Sequence, residues 1–169
     1  MAAKHLSERE NWQTETGKKA SRNEARTHSL LTERLDPTGY SVKKKPKITI
    51  GETVIQPELL IENLRNGKKI IIDDKLGLNG GNAHERCYRY VANRKVEKAG
   101  YFPLIVFSGR TFTAKEPFET VSKTTGKVSI INPEKYRNEF KDFLEPEQYF
   151  ILTDSNVGEL VNAVKERLT

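Results

Sequence analysis

Pro57-Glu58 is followed, after fourteen residues, by Asp73-Asp74-Lys75. Two carboxylates and a lysine that converge can hold a hard divalent cation and handle a phosphate, the acids as oxygen ligands and the ammonium as a counter-charge. Convergence depends on the chain between them. Asn66-Gly67 is a strong two-residue hairpin signal, and with it at the tip Arg65 faces Lys68 and Glu58 faces Lys75. Residues two apart on a strand share a face, so Asp73 joins Lys75 and Glu58, one diagonal away from the latter, while Asp74 points to the other side. Diagonal neighbours lie roughly 7–8 Å apart, a span that two carboxylates can close around an ion with oxygen bonds of about 2.0–2.1 Å.

Neighbouring carboxylates repel unless they are protonated or neutralised, and Mg²⁺ neutralises them with hard oxygen ligands while keeping waters and accepting phosphate oxygens. Such an ion lowers the pKa of a bound water and stabilises charge on a pentavalent phosphorus, and Lys75 is placed to position the nucleophile. Phosphodiester hydrolysis is the natural reaction class. The same residues also describe an ordinary hairpin bearing a surface acid pair and a lysine, and spacing alone does not separate the two.

The elements that would position this trio read as α/β. Ser21 to Leu35 has a helical stripe in Leu30, Leu31 and Leu35 and is closed by Asp36-Pro37-Thr38-Gly39. The basic run Lys43-Lys44-Lys45-Pro46-Lys47 reads as a loop, either merely solvated or contacting phosphate. Strands follow at Ile48–Ile50, Val54-Ile55, Leu59–Ile61 and Ile70–Ile72. A helix is expected from Ala83 to Ala99, capped by Asn82 and closed by Gly100, then a doubly buried strand from Pro103 to Ser108. The last third alternates again: a hairpin turning at Thr125-Gly126, a helix from Pro133 to Leu144 capped by Asn132, a strand from Tyr149 to Thr153, and a final helix striped by Val157, Leu160, Val161, Val164 and Leu168.

At 169 residues the chain is one domain's worth, so residues 1–169 are expected to form a single domain, with room for a flexible stretch in the first 10–20. Lys and Arg exceed Asp and Glu by six and the sequence pI is about 9.3, which favours an acidic partner. No stretch approaches the roughly 20 apolar residues of a membrane span, and the N-terminus has no apolar signal core, so a cytoplasmic protein is expected. Cys87 is the sole cysteine, which excludes an intramolecular disulfide and leaves a zinc site only His5, His28, His84 and carboxylates to draw on.

With Glu in place of the usual first Asp, and Asp in place of the usual Glu, Pro57-Glu58 … Asp73-Asp74-Lys75 resembles the PD-(D/E)XK nuclease motif. Both replacements keep a carboxylate. Gly80-Gly81-Asn82-Ala83-His84-Glu85-Arg86, beginning five residues after Lys75, is similar to the GNA-x-ER stretch of the EcoRI/MunI-like type II restriction endonucleases. Asn11-Trp12-Gln13 with Gly17, Lys18, Ala20 and Ser21 resembles the start of the MunI branch, so the likeness runs in patches from about residue 10 to 110.

The resemblance implies a restriction-endonuclease-like mixed central sheet flanked by helices, and a homodimeric, Mg²⁺-dependent enzyme cutting double-stranded DNA at a short palindrome. It implies metal binding by Glu58 and Asp73, assistance of the attacking water by Lys75, and a variable residue at Asp74. It also implies DNA recognition by Gly81, Asn82, Ala83, His84, Glu85 and Arg86. That assignment is chemically sensible, since glycine lets backbone approach the groove, Asn pairs bidentately with adenine, and Arg offers a fork of donors. Without the likeness, Asn82 is a helix cap and Glu85 and Arg86 are solvated first-turn residues. Glu24 reads as a helix-surface acid, Trp12 as an anchor of the N-terminal segment and Cys87 as packing.

The chain is shorter than those relatives, so loops that embrace DNA are expected to be reduced. Three rival readings use the same residues differently: a sequence-nonspecific or repair-type DNA nuclease, a catalytically inert DNA-binding module, and a basic RNA- or ribosome-associated protein contacting RNA through Lys43 to Lys47.

Overall fold

The computed structural model describes residues 25–75 and 94–169. The apolar run anticipated after Gly100 forms a strand, Tyr101–Phe107, buried from Pro103 onward, and among the described residues it lies inside a five-stranded sheet. Numbering strands along the chain, these are β1 (Tyr40–Lys44), β4 (Leu59–Asn63), β5 (Lys69–Lys75), β6 (Tyr101–Phe107) and β9 (Tyr149–Ile151), adjacent in that order. β4 runs antiparallel to both β1 and β5, whereas β5, β6 and β9 are parallel, so the sheet is mixed, as the resemblance implies. Pro103 is tolerated within β6 because β9 pairs only with Ile105–Phe107, so that among the described residues β6 has a single strand neighbour where the amide hydrogen is missing.

Alternation along these strands feeds two different layers. Leu59, Ile61, Ile70, Ile72, Leu104 and Val106 face one side, where they meet Leu31 of the helix α1 (residues 25–34), Leu35 just beyond its end, and Leu160, Val164 and Leu168 of the last helix. The other side divides. Leu60 and Ile71 pack with Ile48 of the small hairpin β2–β3 (Ile48–Ile50 and Thr53–Ile55) and with Val96 of the one-turn helix α2 (Lys95–Lys98). Ile105 and Phe107 pack with Phe112 of α3 (Arg110–Thr113) and with Leu144, just after α4 (Pro133–Phe143). The Phe107 and Phe112 rings are 4.6 Å apart, and Arg137 of α4 donates to the carbonyls of Phe112 and Ala114, which fixes α4 against α3.

Several boundaries agree with the sequence. The helix before Asp36 ends in the anticipated turn, where the Thr38 hydroxyl and amide donate to Asp36 and hold its carboxyl below the usual carboxylate range. Asn132 caps α4 by accepting from the Glu134 amide. The final helix, α5 (Val157–Leu168), buries Leu160, Val161, Val164 and Leu168. Of the expected helix from Ala83 to Ala99, residues 83–93 lie outside the described residues.

Two expectations need correction. Lys43 and Lys44 are not in a loop but end β1, an edge strand whose Tyr40 and Val42 pack against the core while the lysines stay exposed. The β4–β5 hairpin does not close with a two-residue loop. The Asn63 amide donates to the Lys68 carbonyl and the Gly67 amide to the Asn63 carbonyl, so Leu64 to Gly67 form a four-residue loop with Gly67 in the left-handed region at φ 73°. Ladder partners become Leu59↔Ile72 through Glu62↔Lys69, a two-residue slip from the anticipated register. β7–β8 (Phe118–Val121 and Val128–Ile131) turns in the same way, with Gly126 at φ 68°.

The hairpin loop also ends the chain's last helix. Asn63 and Asn66 both donate from Nδ2 to the Leu168 carbonyl, each at 2.8 Å, satisfying a terminal acceptor that α5 cannot pair internally. Asn63 is buried and its Oδ1 also accepts from the Arg65 amide, whereas Asn66 is exposed. Asn63→Ala is therefore expected to lower unfolding free energy by about 1–3 kcal/mol and Asn66→Ala by less than about 1, compared by urea denaturation. Equal losses would show that the buried amide has no special role.

Candidate active site

Pro57 carries no amide hydrogen and fixes its own φ, so the β4 ladder cannot continue unchanged beyond Leu59 toward the N-terminus. Side chains take over there. Continuing the observed register puts Glu58 directly opposite Asp73, and the two residues interlock: the Glu58 amide donates to Asp73 Oδ1 at 3.3 Å, and the Asp74 amide donates to Glu58 Oε2. The trio was expected to have Glu58 facing Lys75 with Asp73 on the diagonal. The slip exchanges these places, and the two acids become direct cross-strand partners on one face. Both are partly exposed at the end of β4 and β5.

Lys75 is the last residue of β5, paired with Phe107 in an unbroken parallel ladder that begins at Lys69↔Tyr101. No bulge intervenes between Asp73 and Lys75, so Lys75 holds the register position diagonal to Glu58. Asp74, between them, is buried on the opposite face, where its Oδ1 accepts from the hydroxyl of Thr27 in α1 at 3.1 Å. Gly81, Asn82, Ala83, His84, Glu85 and Arg86, expected to read DNA, lie outside the described residues, as do Glu24, Trp12 and Cys87.

The structure adds contacts that the sequence pattern did not single out. The Lys45 amide donates to the Glu58 carbonyl at 2.8 Å, the Lys45 carbonyl accepts from Gln56 Nε2 at 2.9 Å, and Lys45 itself has φ 46°, uncommon for a side chain other than glycine. Glu58 is thus held by its carbonyl, its amide and its carboxylate. Thr27 was the more legible of the two: it stands four residues before Leu31 and so belongs to the stripe that α1 presents to the sheet.

Glu58 and Asp73 are a hard-oxygen pair suited to a small divalent cation. Each amide contact uses one of the roughly four lone-pair sites of a carboxylate, and an ion between the acids would relieve the repulsion of two like charges placed opposite one another. Among the described residues no group of three His, Cys, Asp or Glu side chains gathers. Two protein carboxylates with water and phosphate oxygens completing the shell is the mode Mg²⁺ favours, so the residues fit that ion.

Residues 1–50 match the family model for the type II restriction enzyme MunI, a segment that includes α1, β1 and β2. The structure is similar to that of MunI restriction endonuclease in complex with cognate DNA, with a TM-score of 0.53 and 20% sequence identity over 94% of this chain and 98% of that one. No curated protein matches the sequence. The family match spans the first 50 residues, and the structural likeness shows that the chain has the fold of that enzyme.

Like charges opposed across strands should cost stability in the absence of a cation. Asp73→Asn keeps an acceptor for the Glu58 amide and removes one charge, so in EDTA at low ionic strength it is expected to raise stability by about 0.2–1 kcal/mol. Mg²⁺ should then raise the melting temperature of the wild type and not that of the variant. Lower stability of the variant in EDTA would mean that the two acids are not in electrostatic conflict.

Proposed function

We propose that this chain is a Mg²⁺-dependent, site-specific endonuclease that hydrolyses phosphodiester bonds of double-stranded DNA at a short palindrome, working as a single catalytic domain over residues 1–169. The observation that carries the reading is the opposition of Glu58 and Asp73 at one sheet end with Lys75 two residues on in the same strand. Type II restriction endonucleases generally use a divalent metal, and Glu58 and Asp73 are the residues to hold it. When bound, Mg²⁺ supplies Lewis-acid stabilisation of the phosphate and a more acidic water.

The chain's own residues do the rest. The Lys45 and Asp74 amides fix Glu58 before any ligand arrives, so the carboxylates need little reorganisation on binding. Lys75 assists the attacking water, whose oxygen forms the new bond to phosphorus as the ester oxygen leaves. Gly81, Asn82, Ala83, His84, Glu85 and Arg86 read the bases, an assignment supported by their likeness to the GNA-x-ER stretch of EcoRI/MunI-like enzymes. A palindrome is matched by a two-fold protein, which supports a homodimer.

Duplex backbone enters the same reading through β1. Lys43, Lys44, Lys45 and Lys47 are exposed, and Lys45 is bonded by its amide to Glu58, so the basic run borders the acids. These lysines contact phosphates flanking the scissile one.

The test is incubation of long duplex DNA with the wild type and with Asp73→Ala, in Mg²⁺ and in EDTA. Discrete fragments from the wild type in Mg²⁺, and none in the other three reactions, are expected; a smear would replace site-specific with nonspecific cutting, and uncut DNA would overturn the reading. Binding should survive in Asp73→Ala, since a negative charge near phosphate has been removed. Lys43→Gln with Lys47→Gln should lower the slope of log affinity against log salt by about one per lysine, measured in EDTA. An unchanged slope would return the run to a solvated edge.

A further inference from the structure

Asp74 is the residue that the motif leaves variable, yet in this chain its side chain is buried and hydrogen-bonded to another element. Its carboxylate is turned away from the acids and is 7% exposed; Thr27, which donates to it, is 0% exposed. Its amide lies in the plane of the sheet and donates to the Glu58 carboxylate. One residue therefore joins α1 on one face of the sheet to the Glu58 carboxylate on the other, and its neighbours in sequence are Asp73 and Lys75.

From this arrangement we infer that Thr27 and Asp74 are positioning residues: the buried hydroxyl of α1 sets the height and rotation of the end of β5, and through the Asp74 amide it aims Glu58 beside Asp73. The inference rests on the nuclease reading of that site. Its physical basis is that a hydroxyl and a carboxylate buried together are costly to separate, whereas an exposed strand end would otherwise fray. α1 is itself seated by the packing of Leu31 against the sheet, so the register of the strand end is referred to a packed layer rather than to solvent. Groups that orient ligating carboxylates from behind typically change metal affinity or activity by about 10–100-fold when removed.

Thr27→Val keeps the shape of the side chain and deletes the donor. Expected are a fall in single-turnover cleavage rate of about 10-fold or more and a several-fold rise in the Mg²⁺ concentration giving half-maximal rate, with DNA affinity in EDTA unchanged. Thr27→Ser, which restores the hydroxyl, should recover both. In the metal-free protein, amide hydrogen exchange at Asp74 should accelerate in Thr27→Val while Ile70 and Ile72 stay protected, because only the strand end is released. Thr27→Ala is read in the same way should the valine variant not fold.

An unchanged half-maximal Mg²⁺ concentration, or equal acceleration of exchange along all of β5, would overturn the inference and leave the pair as ordinary packing. Should the wild type not cut DNA, the nuclease reading fails first. The exchange arm then still decides whether α1 holds Asp74 and, through it, Glu58.

Discussion

The register between β4 and β5 is the constraint on which the site depends. A strand's side chains alternate with period two, so a one-residue slip would send Glu58 into the apolar layer of α1 and α5 and bring Leu59 out to Asp73. Two features forbid it. Ile61 and Ile70 are wholly buried as cross-strand partners, and the loop from Leu64 to Gly67 admits one closure once Gly67 takes its left-handed conformation. Burying such a side chain is worth about 1.5–3 kcal/mol, and a slip would forfeit several of them at once. Core packing thereby fixes the placement of two polar residues at the sheet's wet end.

That wet end is where the ladder stops being made of backbone alone. Pro57 interrupts the regular exchange of amide and carbonyl, and the carboxylates of Glu58 and Asp73 accept the amides that continuing strand would have paired. The acids are thus both structure and chemistry, held by groups with no conformational freedom to lose. Loss of a cation between them need not scatter them, because the amide donors remain. This is preorganisation in its simplest form: the donors were fixed when the sheet formed.

Much of this was legible in the residue pattern. Val157, Leu160, Val161, Val164 and Leu168 mark α5 because 3.6-residue periodicity is a direct image of its buried stripe, and Leu104 to Phe107 mark a central strand by lacking any polar break. The choice of Glu58 and Asp73 as same-face acids also stands, although their pairing was off by two residues. The reason is local: Asn-Gly signals both a two-residue turn and the end of a four-residue one, and what distinguishes them is the hydrogen bonding of Asn63, whose buried amide depends on the distant end of α5. β1 escaped because four lysines in five residues outweigh the alternation of Tyr40 and Val42, which is visible only beside the core they cover. Thr27 and Asp74 meet across forty-seven positions, a separation at which no spacing rule operates.

Charge placement completes the logic. A chain with a net charge of +6 attracts a polyanion, yet the two residues proposed to approach a scissile phosphate most closely are themselves negative. The conflict is resolved by position. Lysines are exposed on β1 and the turn after it, at the edge of the sheet among the described residues, where they also discourage pairing with another sheet, and the acids lie one and two strands inward, Glu58 bonded to Lys45 through main chain. Attraction can thus be spread along a duplex while repulsion is local, short-ranged and removable by a single divalent ion. An arrangement with the acids on the edge and the lysines inside would repel the backbone at first contact, before any ion could bridge it, which is a physical reason for the acids to sit on β4 and β5 rather than on β1.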